Sequence, residues 1–187
     1  AVIVGSELQT DQGDIIGLFL DDEVRGHGAL EVIDEIKNQG GLAILPHPFR
    51  DRELNNAILK ELFGRVDAIE ALNSRIPVRK QMTEHSKKAG KPLVAGSDAH
   101  FPCEIGLCRT IIRVENNSLE EIRKAILTKD IKIIGKQGPP YLHSLSAIIR
   151  NIKTKKYRKL PASIAVLARD YSRALISPLL CNLQGFI

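Results

Sequence analysis

Tryptophan is absent from the 187 residues, and aromatics make up only 4% of them. Recognition of nucleic-acid bases by stacking needs several exposed aromatics, so that class of function is disfavoured. Cysteine is sparse: Cys103, Cys108 and Cys181 are an odd number at irregular spacing. This argues against a disulfide framework and fits a reducing cytosol, so a cytoplasmic location is expected. Cys103-x4-Cys108 is half of a zinc spacing, but no second Cys/His pair follows, so buried thiols are expected instead. No run of about 18 apolar residues occurs, so no helical membrane span is expected. No signal-peptide pattern is visible at the N-terminus, and there are no internal repeats.

What is present is an ordinary globular composition, 43% hydrophobic and 26% charged. The length suits one domain, or a domain with an appendage. Charge is uneven. Residues 136–187 hold nine Lys/Arg and one acid, Asp170, for +8, which leaves −3 on residues 1–135 of the overall +5. A near-neutral body with a basic tail points to an anionic partner for the tail.

Short apolar runs alternate with helical periodicity. Val2–Val4, Asp14–Leu20, Leu42–Leu45, Ala68–Leu72, Leu93–Ala95, Thr110–Val114 and Ile131–Ile134 read as strands. Leu30–Lys37, Leu54–Phe63, Val78–Ala89 and Leu119–Leu127 read as helices. The last is introduced by a capping box, Ser118 with Glu121. Gln9–Gly13 reads as a polar turn. The βαβα order predicts a parallel sheet with its strand C-termini on one side. Gly138-Pro139-Pro140 breaks the pattern. Beyond it, Leu142–Ile152 and Ser163–Leu175 read as amphipathic helices, so residues 1–137 are expected to form the body and 138–187 a basic helical extension. Ala1-Val2-Ile3-Val4 reads as the middle of a strand, so the chain is expected to be the later part of a longer polypeptide.

Polar side chains recur where apolar strands end, which is where α/β folds build sites. The stretch K-P-L-V-A-G-S-D-A-H-F-P, residues 91–102, places Asp98 and His100 one residue apart after a strand. In an extended segment both would face one side and could ligate one cation; the alternative is a surface turn with a capping Asp. Glu7 follows Gly5-Ser6, and His47 lies between Pro46 and Pro48. Glu, His, Asp and His form a mixed N/O set suited to Zn²⁺, Mn²⁺ or Fe²⁺. Asp14 opens a strand rather than ending one and ranks lower. Arg50 and Arg75 lie just beyond strand ends, where either could grip a phosphate bidentately. His85 reads as a surface residue on its helix, and His143 as structural. The segment R-N-I-K-T-K-K-Y-R-K, residues 150–159, has six basic residues and no acid. Lys153, Lys155, Lys156, Arg158 and Lys159 are its candidate contacts to a nucleic-acid backbone; the alternative is a solvated charged face.

Five segments together resemble the PHP (polymerase and histidinol phosphatase) superfamily, most closely its stand-alone metal-dependent phosphoesterases. They are G-S-E-L-Q-T at 5–10, I-I-G-L-F-L at 15–20, G-G-L-A-I-L-P-H-P-F at 40–49, I-E-A-L-N-S-R at 69–75 and G-S-D-A-H-F-P-C-E-I-G at 96–106. The resemblance covers roughly residues 1–135 and implies a distorted (β/α)7 TIM-like barrel, N-terminally truncated here, with two or three divalent ions at the strand C-termini. It implies hydrolysis of a phosphate ester of a nucleotide, oligonucleotide or small metabolite by metal-activated water. By motif, Glu7 would be the bridging carboxylate, and His47, Asp98 and His100 further ligands, with Glu7, Asp98 and His100 also serving catalysis. Asp14 stands where the family often has a ligating His, and Arg75 would bind phosphate. The family's His-x-His motif has no counterpart in residues 1–187. The alternative is a non-catalytic nucleic-acid-binding protein with an incomplete metal site.

Overall fold

The structure is a computed structural model. It describes residues 1–48, 50, 56–76 and 89–183, and the side chains of these except Asn56 and residues 176–183. A five-stranded sheet runs in the order β1-β2-β3-β4-β5, with β1 Gly5–Thr10, β2 Gly13–Leu18, β3 Leu42–Leu45, β4 Ala68–Asn73 and β5 Leu93–Gly96. Helices α1 (Ala29–Asn38) and α2 (Asn56–Arg65) lie between β2 and β4 in sequence. A two-stranded ribbon, β6 Cys108–Ile112 with β7 Ile131–Gly135, flanks α3 (Leu119–Leu127). Helices α4 (Pro140–Lys153) and α5 (Leu160–Leu183) follow.

Side chains alternate across the sheet, and each face has its own core. Ile15, Ala43, Leu45 and Ile69 face Val32, Ile33 and Ile36 of α1 and Leu59 and Leu62 of α2. Ile16, Leu18, Leu42, Ile44, Ala68 and Val94 face Ile122 and Ile126 of α3 and Ile131 of β7. The continuous apolar run of β3 is what burial on both faces requires.

The mixed α/β class is as expected, but the sheet is not uniformly parallel. β3, β4 and β5 are parallel, whereas β1–β2 and β2–β3 pair antiparallel. The expected turn at Gln9–Gly13 is the tip of the β1–β2 hairpin, with Gly13 at φ 102. Val2–Val4, expected as a strand, precedes β1; Val2 and Val4 are exposed, so their β propensity finds no buried surface. β6 and β7 form a separate antiparallel pair, and the sheet is not closed into a barrel among the described residues.

Ser118 accepts from the Glu121 amide at 3.2 Å, but the Glu121 carboxylate turns to the amide and side chain of Asn116 rather than back to Ser118, so only half the expected capping box forms. The helix expected at Val78–Ala89, with His85, lies outside the described residues except for Ala89. Cys108 is buried as expected, but Cys103 is exposed on a 3-10 turn. Among the described residues no helix is long and apolar enough to cross a membrane.

Candidate metal centre

Strand direction assembles the site. β2 runs antiparallel to β3, with Ile16 opposite Ile44. The start of β2 therefore lies beside the end of β3, and Asp14 comes to the same edge as His47. The low ranking of Asp14 rested on a parallel sheet and is corrected. Alternation puts Asp14 on the face of Ile16 and Leu18. Glu7, paired across the hairpin with Ile16, lies mid-strand rather than at a strand end, and its side chain still reaches His47.

Nε2 of His47 is 3.1 Å from Oε1 of Glu7 and 3.6 Å from Oδ2 of Asp14. One ligand atom from each of Glu7, Asp14 and His47 lies within 4.8 Å of the others. Atoms bound to one ion at about 2.0–2.2 Å are themselves about 3–3.5 Å apart, close to the 3.1 and 3.6 Å separations from Nε2 of His47, so the three residues could hold a common cation. Two carboxylates and an imidazole suit a borderline divalent ion. His47 is buried and held at φ 28, a left-handed conformation costly for a non-glycine residue. Its backbone N–H donates to Oε2 of Glu70 at 2.9 Å, which fixes that turn.

Asp98 lies beyond β5 at φ 49, so the segment is not extended there as expected. His100 instead folds back. Its Nδ1 is 3.0 Å from the Asp98 carbonyl and 3.6 Å from Oδ1. A carbonyl only accepts, so Nδ1 is the donor in that contact. Arg50 joins the two halves: its guanidinium donates to Oδ2 of Asp14 at 2.8 Å and lies 3.7 Å from Oδ2 of Asp98.

Glu70 is the residue the sequence reading passed over. It is 7% exposed and accepts from the Asn73 amide at 3.0 Å as well as from His47. Asn73 also reaches Oδ2 of Asp98 at 3.4 Å. The signal was a charge inside the apolar strand A-I-E-A-L, since glutamate is seldom buried without a task. Burial pushes the Glu70 carboxyl above its ordinary value, opposed by the Asn73 and His47 hydrogen bonds. The hydrogen bond from His47 holds the Glu7 carboxyl below its ordinary value, against partial burial.

Arg75 is not at the mouth. It is 8% exposed, pairs with Glu104 at 3.0 Å, and donates to Ser146 of α4. Arg50, the other arginine expected just beyond a strand end, instead faces the carboxylates of Asp14 and Asp98. His143, on the first turn of α4, is half-buried; burial and then Arg75 hold its imidazole below the ordinary value. Lys153, Lys155, Lys156, Arg158 and Lys159 are all exposed around the α4–α5 turn, remote in sequence from this cluster.

An α/β protein with carboxylates and imidazoles converging at one sheet edge is the class these observations define. The family model described as PHP-associated matches residues 81–130. Two uncharacterized proteins of Methanocaldococcus jannaschii are similar. MJ0417 is 38% identical over 114 residues, 56% of this chain and 48% of the relative. MJ1587 is 42% identical over 79 residues, 39% of this chain and 43% of the relative. The chain thus spans about half the length of the curated relatives it matches. A crystal structure of a two-domain protein containing predicted PHP-like metal-dependent phosphoesterase from Bacteroides vulgatus superposes with TM-score 0.62 at 20% identity, over 72% of this chain and 44% of that one. PsfC from Pseudomonas syringae superposes with TM-score 0.54 at 20% identity, over 79% and 64%. At that identity the two structures speak for the fold. Over residues 81–130 the chain is similar to the PHP-associated family.

Proposed function

We propose that this chain is part of a metal-dependent phosphoesterase. The observation that carries the reading is the convergence of Glu7, Asp14 and His47 within 4.8 Å, with Asp98 tied to the same cluster through Arg50. Glu7, Asp14 and His47 would hold one divalent ion, and Asp98 and His100 would add ligands for it or for a second. Manganese, zinc or iron suits the donors. A bound divalent ion would acidify water and polarise a phosphoryl oxygen. Glu70 fixes the His47 turn, and Arg50 is placed to orient an anionic ester beside the carboxylates. The distorted (β/α)7 barrel, the cytoplasmic location and a nucleotide, oligonucleotide or small-metabolite substrate belong to this proposal. The full-length protein is expected to hydrolyse a generic phosphodiester with Mn²⁺. Chelation or Asp98→Ala is expected to abolish turnover, and unchanged turnover in Asp98→Ala rules the site out.

A second reading is favoured by one observation: five exposed cations and the 58%-exposed Tyr157 share the α4–α5 turn. On this reading the extension contacts nucleic-acid backbone without using the metal residues. Binding would weaken steeply with salt and ignore chelator; binding lost on chelation with the extension intact counts against it.

A further inference from the structure

Outside the metal cluster, the most completely buried charge in the described chain is Glu104. It closes the 3-10 turn Pro102–Glu104 and has no exposed surface. Its Oε2 accepts three hydrogen bonds: from the backbone N–H of His100 at 2.8 Å, from that of Phe101 at 3.0 Å, and from Nη1 of Arg75 at 3.0 Å. Its Oε1 has no partner. Arg75, itself buried just past β4, spends its other nitrogen on helix α4. Nη2 donates to Oγ of Ser146 at 2.9 Å and to the Leu142 carbonyl at 3.4 Å. The Ser146 hydroxyl bonds that same carbonyl at 3.0 Å. The Gly138 amide donates to the Ser74 carbonyl at 2.7 Å, fastening the entry to α4 beside Arg75.

A buried ion pair with an orphaned oxygen is a poor way to gain stability, since well-packed apolar residues often do as well or better. What an ionic pair supplies is fixed direction. Here the direction runs from α4, through Arg75 and Glu104, to the amide of His100. That amide lies two residues from Asp98, whose left-handed backbone lies past the end of β5.

We propose that Arg75 and Glu104 are positioning residues that hold the Asp98–His100 loop against the first turns of helix α4, so that docking of the helical extension sets the loop's ion-binding geometry. The loop and the start of α4 are then one mechanical unit, and a partner that displaces α4 would loosen the loop. Only the ion-affinity consequence rests on the metal reading above.

The test is amide hydrogen exchange on the full-length protein. Arg75→Lys has one nitrogen and cannot reach Glu104 and Ser146 together. Exchange is expected to rise about tenfold or more in residues 98–104 and 139–146 together. Acceleration in 139–146 with residues 98–104 at the wild-type rate overturns the proposal. Should Arg75→Lys fail to fold, Ser146→Ala leaves the buried pair intact and makes the same comparison. Glu104→Gln keeps an acceptor for both amides and should preserve Mn²⁺ affinity. Glu104→Leu, folded by circular dichroism, should weaken it about 10- to 100-fold. Equal affinity in Glu104→Leu and wild type also overturns the proposal. If the wild type binds no Mn²⁺, the metal reading fails, and the exchange comparison alone decides the coupling.

Discussion

Nε2 of His47 lies 3.1 Å from Oε1 of Glu7, forty positions earlier in the chain. The contact exists because the β1–β2 hairpin carries Glu7 back across the sheet and β2 then pairs antiparallel with β3. The same reversal brings Asp14 to His47. Carboxylates drawn together in this way repel one another unless a cation joins them. In this structure the guanidinium of Arg50 supplies that charge on the Asp14–Asp98 side.

Arg50 should therefore act on substrate affinity. A hydrogen bond between charged groups contributes about 1.5–3 kcal/mol. Arg50→Ala in the full-length protein is expected to raise KM for a phosphodiester by about 10- to 100-fold, with a smaller change in kcat. Steady-state kinetics with saturating Mn²⁺ checks it. An unchanged KM removes Arg50 from the phosphate-binding role.

Gly96 is a packing constraint on the site. A Cβ there would lie 2.6 Å from Oε1 of Glu70. Glu70 cannot swing away cheaply, because its Oε2 holds the His47 amide and Asn73. Gly96→Ala is expected to cost about 1–3 kcal/mol, as for overpacking elsewhere. Urea unfolding measures the loss, and a shift of the His47 amide resonance reports the strain reaching the site. A neutral substitution contradicts the packing described.

The two helices of the extension have a polar joint. Oδ2 of Asp170 accepts from Ser144 at 2.7 Å. That hydrogen bond, more than Arg169, holds the Asp170 carboxyl below its ordinary value of 3.8. A carboxyl whose pKa falls on folding contributes stability that is complete above the ordinary value and is lost as pH falls through the lowered one. Asp170→Asn should lower the melting temperature near neutral pH, and the deficit should shrink as wild type is acidified below about pH 4. Melting curves across that range check it, and a deficit that stays constant with pH contradicts the assignment.

Local chemistry was legible in the sequence. The bounds of β3 and α3 follow from an apolar run and from a serine cap, and Ser118 does cap its helix. The identity of Glu7, His47, Asp98 and His100 as candidates followed from residue type and position. Strand direction was not legible, because an apolar run such as I-I-G-L-F-L carries no sign of which way its neighbour runs. That gap is why Asp14 ranked low and why the turn read at Gln9–Gly13 was not joined to its two strands as a hairpin. Arg75 was misplaced for a related reason. Its partner Glu104 lies 29 positions away and its helix partner Ser146 71 positions away, contacts that only the folded chain creates.

The central claim is that Glu7, Asp14 and His47 hold a divalent ion. Calorimetric titration of the metal-stripped full-length protein with Mn²⁺ and Zn²⁺ tests it most directly, compared with Glu7→Gln and Asp14→Asn, which keep side-chain size and remove charge. The account predicts saturable binding by the wild type, weakened at least about tenfold in each variant. Wild-type binding that survives unchanged in both variants, or no binding at all, would contradict it.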